Sequence, residues 1–163
     1  MNTFRKKAGG AVIFSLLLIA VVVLSGCGKK EKTVLMNELA EDNLYHYSNP
    51  DLGFSIDLPK EFEYYQTQSK TEPSYRALQI LVSTGDANYS QIEVSGYAKP
   101  IEVRMYDKGV WENTPDKNLL KEVKDNGDKV FAIKFWDKFP MDWNSKWTPE
   151  MEKQISDSFK LKK

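Results

Sequence analysis

From Ala8 to Gly28 the chain carries no charge, and Arg5, Lys6 and Lys7 stand just before that stretch. A basic start, an apolar run from Ala11 to Leu24 and small residues at its end form the pattern of a secretory signal, which is removed rather than folded. The folded protein then lies downstream of that run. Cutting residues 1–26 from the 163 leaves 137, one domain by size and ample for a core of its own. The only cysteine, Cys27, falls at the boundary, so the domain has no disulfide and no thiolate metal site. Its stability has to come from the core alone.

The four residues at that boundary, Leu24-Ser25-Gly26-Cys27, resemble the lipobox of bacterial lipoproteins. The resemblance implies cleavage before Cys27, a diacylglycerol thioether on its sulfur and acylation of the freed amine. One acyl chain holds a bilayer marginally, whereas two or three hold firmly, at ~0.8 kcal/mol per buried methylene. The membrane is thus the first expected partner, and the expected location is the extracytoplasmic face of a bacterial cell membrane. The competing reading is an uncleaved span, since the uncharged stretch reaches the ~20 residues a bilayer needs. A plain span has no use for a lone cysteine at its outer edge, which favours the lipid anchor.

Charge narrows the partners further. The whole chain balances 23 basic against 23 acidic residues, and all three early basic residues leave with the signal. The mature part carries a net charge of −3, a poor match to nucleic acid. Residues 27–43 read as the lipidated cysteine and a tether. If residues 28–43 are flexible their reach is ~20–25 Å, which keeps a domain over 44–163 near the membrane surface.

Within the domain, alternation dominates. Leu44 to Tyr47 reads as a first strand, closed by the turn Ser48-Asn49-Pro50-Asp51. Phe54, Ile56 and Leu58 alternate inward up to Pro59. Glu61 to Gln66 reads as a short strand or irregular aromatic segment, and 67–74 as a loop. Tyr75 to Ser83 has the richness of a central strand, with Leu78, Ile80 and Val82 on one face. Further strands are expected over Gln91–Tyr97, over Ile101–Tyr106 after Pro100, and over Asp128–Trp136 with Phe131, Ile133 and Phe135 on one face. Between the last two, Asp107–Pro115 reads as a loop holding Trp111. Leu119, Leu120 and Val123 have helical spacing, so Asp116–Lys124 reads as a helix stopped by Asn126-Gly127. An aromatic loop over 137–146 precedes Thr148-Pro149-Glu150, a helix start with hydroxyl cap, proline and acid. That helix presents Met151, Ile155 and Phe159 as one stripe. The sum is an α+β fold, an antiparallel β-sheet with flanking helices.

This order of elements resembles PsbP-like domains, carried by Tyr47, by Gly53-Phe54-Ser55-Ile56-Asp57-Leu58-Pro59 and by the closing Ser156-Asp157-Ser158-Phe159-Lys160. The resemblance implies an α/β/α sandwich and a non-enzymatic accessory or binding role. It transfers no functional residue.

Chemistry-bearing residues are sparse. His46 is the only histidine and lies between two tyrosines in a strand. No motif sets a nucleophile or an acid beside it, so a half-exposed strand residue is the better reading than a general base. Asp86 with Asn88, and Asp125 with Asp128, fit turn chemistry better than a calcium loop, which needs six or more oxygens. No glycine-rich phosphate loop occurs. No catalytic residue, metal site or cofactor is therefore expected. The one concentration of interest is Phe135 to Trp147, which holds three of the four tryptophans. Exposed, Trp136, Trp143 and Trp147 with Asp142 and Asn144 would suit a sugar or a peptide: flat faces to stack on, polar edges to orient. The opposing expectation is that the rings fold back as a lid over the sheet. The functional expectation is a non-catalytic binding or accessory role at the envelope, toward an envelope protein or a cell-wall component. The alternatives are a wall glycan- or peptide-binding module built on the Trp136–Trp147 loop, and an envelope hydrolase.

Overall fold

A computed structural model of the chain describes residues 38–162. Residues 1–37, which hold the expected signal segment, Cys27 and most of the expected tether, lie outside the described residues. From Leu44 onward the chain forms two antiparallel sheets and two helices, a strand-rich α+β fold. The smaller sheet has the order β1 (Leu44–Asn49), β2 (Phe54–Pro59), β8 (Lys160–Leu161). The larger one runs β3 (Gln66–Thr71), β4 (Arg76–Ser83), β5 (Tyr97–Asp107), β7 (Lys129–Phe135), β6 (Lys121–Asp125). Helix α1 spans Lys108–Glu112 and α2 spans Pro149–Ser158. Among the described residues no helix is long and apolar enough to cross a membrane.

The first hairpin shows how local sequence sets register. Asn49 closes the turn by accepting Leu52 N at its side-chain Oδ1 (2.8 Å) and Gly53 N at its backbone carbonyl (3.0 Å). Gly53 sits at φ +74°, where a side chain is strained. This register faces Leu44 to Pro59 and Tyr47 to Ile56, so Phe54, Ile56 and Leu58 all turn inward and are fully buried.

One core joins both sheets and α2. Phe54 stacks on Phe159 at 5.1 Å, and Phe131 meets both rings at 6.4 and 5.6 Å. Leu78, Ile80, Val82, Ile101, Val103, Phe131 and Ile133 supply the inner face of the large sheet to the same core. Helix α2 begins as the sequence predicts: Thr148 Oγ1 accepts Met151 N at 3.2 Å, with Pro149 at N1. Met151 and Ile155 are buried along its inner stripe, and Phe159 follows at the C-cap.

Four expectations are overturned. Residues 84–96 form a loop rather than a strand over Gln91–Tyr97, with Ile92 fully exposed. Strand β5 instead starts at Tyr97 and runs straight through Pro100. The register shift explains the tolerance: Ala98 faces Val82 and Ile101 faces Ile80, so Lys99 and Pro100 both oppose Leu81. A bulge is where a central strand can accept a residue without an N–H. Second, residues 67–71, expected as part of a loop, belong to the strand Gln66–Thr71. As an edge strand it buries little, so it shows no apolar alternation. Third, Asp116–Lys124 is no helix: a short 3-10 turn at Lys117–Leu119 leads into β6, which pairs along β7. The open edge of β7 outweighs a helical spacing of three apolar residues. Fourth, Trp111 lies on helix α1, which packs on the outer face of the large sheet beside Tyr106, Val130 and Ala132.

Candidate functional site

The tryptophan segment closes the core. Trp143 and Trp147 are 2% and 6% exposed and Trp136 is half-buried. The three rings meet edge-to-face, 5.7 Å for Trp136–Trp143, 5.1 Å for Trp136–Trp147 and 6.5 Å for Trp143–Trp147. Phe62 and Phe135 fill in around them. Trp143 Nε1 donates to Ser83 O at 3.1 Å and Trp147 Nε1 to Glu152 Oε1 at 2.7 Å. Asp142 clasps the neighbouring turn, accepting Thr84 Oγ1 at 3.0 Å and Gly85 N at 3.1 Å. Asn144 is exposed beside them. Trp143 and Trp147 are thus closed in among other rings, while Trp136 stays partly exposed. Trp136 Nε1 is buried with no hydrogen-bond partner among the described residues.

His46 sits half-exposed on β1 opposite Asp57 of β2. Its Nδ1 lies 2.7 Å from Asp57 Oδ1 and its Nε2 3.1 Å from Asp42 Oδ2. The Asp57 hydrogen bond raises its pKa against an opposing effect of burial, with Asp42 adding to the rise. Both ring nitrogens face carboxylates, so neither is directed at a hydroxyl nucleophile. Asp86 and Asp125 each accept a backbone N–H two residues on, from Asn88 (3.0 Å) and Gly127 (2.7 Å), which is turn chemistry.

The sequence reading missed the outer face of the large sheet. There the second set of alternating residues on β5, Glu102, Arg104 and Tyr106, meets Gln79 of β4 and α1. Glu102 is only 4% exposed. It accepts Gln79 Nε2 at 2.9 Å and Lys99 Nζ at 2.8 Å on Oε2, and Arg104 Nε at 2.5 Å on Oε1. Burial by itself pushes its pKa up. The bonds and charges of Lys99 and Arg104 outweigh that and hold it at about 2. The Arg104 guanidinium lies 4.4 Å over the Tyr75 ring, and its Nη1 donates to Tyr106 Oη at 3.2 Å.

Beside Arg104 a cavity of about 540 Å3 opens between the sheet and α1, walled by Tyr75, Tyr106, Val110, Asn113 and Asp116. Its size lies within the range of small-ligand pockets, and it combines apolar walls with a few placed polar groups. A larger hollow of about 680 Å3 lies beside Tyr45 and Tyr64, but its rim of Lys60, Glu61, Glu63 and Lys146 is mostly exposed side chain. A third, lined by Lys99, Glu102, Lys134 and Trp136, is about 210 Å3, below the range for a ligand site. Among the described residues the Arg104 cavity is therefore the candidate binding site. Its signal was present in Ile101-Glu102-Val103-Arg104-Met105-Tyr106: two charges on a strand rich enough to be central must be paired or functional.

No protein-family model, curated protein or solved structure matches this chain.

Proposed function

We propose that the chain is a lipid-anchored, extracytoplasmic domain with a non-catalytic binding role at the bacterial cell envelope. The observation that carries the reading is Leu24-Ser25-Gly26-Cys27 at the end of an uncharged run behind Arg5, Lys6 and Lys7. Residues 28–43, polar at their start, then separate Cys27 from β1 and are long enough to hold the domain ~20–25 Å from the bilayer. On this reading the partner is an envelope protein or a wall component, and the Arg104 cavity is the pocket that takes a small ligand or a peptide end. The occupied ring nitrogens of His46 favour binding over hydrolysis. The finer PsbP-like relation rests on Tyr47, the Gly53–Pro59 stretch and the closing helix, and it agrees with an accessory role.

The anchor is tested in a bacterial host fed an alkyne fatty acid. The full chain should take up label and fractionate with membranes, and Cys27→Ser should abolish the label. Label that persists in the variant would rule out the lipid anchor.

A further inference from the structure

Resting on the reading of the Arg104 cavity as the binding site, we propose that it takes a small zwitterion, a free amino acid or a short peptide. The warrant is one cavity lined by a cation, an anion and apolar side chains. Arg104 is the cationic wall. Its side chain is 14% exposed, Nε is committed to Glu102, Nη1 reaches Tyr106, and Nη2 has no protein acceptor among the described residues. Glu102 fixes the guanidinium plane before any ligand arrives, so little side-chain freedom is lost on binding a carboxylate. With Lys99 on the same carboxylate, two cations share one anion, and the group keeps a net positive charge.

Asp116 is the anionic wall. It stands at the N-cap of the Lys117–Leu119 turn, yet its side chain makes no capping bond there. A carboxylate at that rim repels a dianion such as phosphate and attracts an ammonium. The same cavity is lined by Val110, itself 37% exposed, a contact for an apolar side chain.

The two ends are unequal, and that is the quantitative prediction. The ligand carboxylate meets a nearly dry, pre-oriented guanidinium, so blocking it as the amide should weaken binding about 10- to 100-fold. The ligand ammonium meets an exposed aspartate, so N-acetylation should weaken it only about 2- to 5-fold.

The full chain in detergent is titrated calorimetrically with leucine, phenylalanine and dileucine, then with their amides and N-acetyl forms, and with inorganic phosphate and acetate. Saturable binding of the zwitterions, graded in that order and absent for phosphate, is expected. Arg104→Lys should lose most of the affinity and Asp116→Asn a few-fold. Because Arg104 also pairs with Glu102, Val110→Trp, at a partly exposed position on the cavity wall, serves as a second variant that adds bulk to the cavity and leaves both side chains of that pair in place. Binding unchanged in Val110→Trp overturns the proposal. So does equal binding of blocked and free ligands, phosphate or acetate binding as tightly, or no heat from any zwitterion. Fatty-acid labelling at Cys27 is read on the same preparation. Labelling without binding removes this ligand class and leaves the anchor, whereas binding without labelling does the reverse.

Discussion

Glu102 and His46 are both held by partners of opposite charge, but they push the stability of the protein in opposite directions with pH. Glu102 has its pKa depressed to about 2 from an ordinary 4.5. Its contribution is complete above about pH 4.5 and is lost as pH falls through about 2, amounting to about 3 kcal/mol for a carboxylate this dry. Chemical denaturation of Glu102→Gln should show a loss of about 3 kcal/mol at pH 6 that shrinks toward zero near pH 2. A loss independent of pH would mean packing rather than charge. His46 has its pKa raised, chiefly by Asp57. Its contribution is present below about pH 6.5 and disappears as pH rises through the folded value. Because the ring is half-exposed, the test is titration rather than stability. The imidazole signals should give a pKa above 6.5 that falls in Asp57→Asn; an unshifted value would dissolve the pair.

Among the elements, α2 is set by its own sequence and α1 by what it covers. Thr148 caps the first turn of α2, and Glu150 and Glu152 favour its N-terminal end. Thr148→Ala should cost about 1 kcal/mol in a melting experiment. Ile155→Ala, at a fully buried position between the helix and the small sheet, should cost about 2–5 kcal/mol. A smaller loss at Ile155 than at Thr148 would show that the helix is not docked through that stripe. Helix α1 has five residues, too few to persist alone, and it stays because Trp111 packs on Tyr106 at 5.3 Å and bonds Glu122 of β6 at 3.2 Å. Trp111 thereby holds α1 against the sheet, and Gly109 and Val110 of that helix line the cavity beside Arg104.

Across the molecule, the large sheet is covered on both faces, by the small sheet and α2 on one side and in part by α1 on the other. All four tryptophans are at least half-buried between these layers. Acrylamide should therefore quench the fluorescence of the folded full chain weakly, and denaturant should raise the quenching several-fold. Strong quenching of the native protein that falls in Trp143→Phe and Trp147→Phe would put those rings in water and restore the stacking platform.

Short-range periodicity and local chemistry carry part of this fold without help from the rest of the chain. The alternation of Phe54, Ile56 and Leu58, the inward sets on β4 and β7, and the Thr148-Pro149 start of α2 each depend on residues a few places apart. Strand β3, the route of β5 through Pro100, the strand β6 in place of a helix and the fold-back of the tryptophan segment depend on partners far along the chain. A polar edge strand such as Gln66–Thr71 has no apolar pattern to read, and its place comes only from the pairing β4 offers. The candidate cavity lies in the same class. Glu102 and Arg104 were visible as charges on an alternating strand, but that Gln79, Tyr75, α1 and Asp116 would gather around them is a result of two layers closing, where long-range packing overrides local preference.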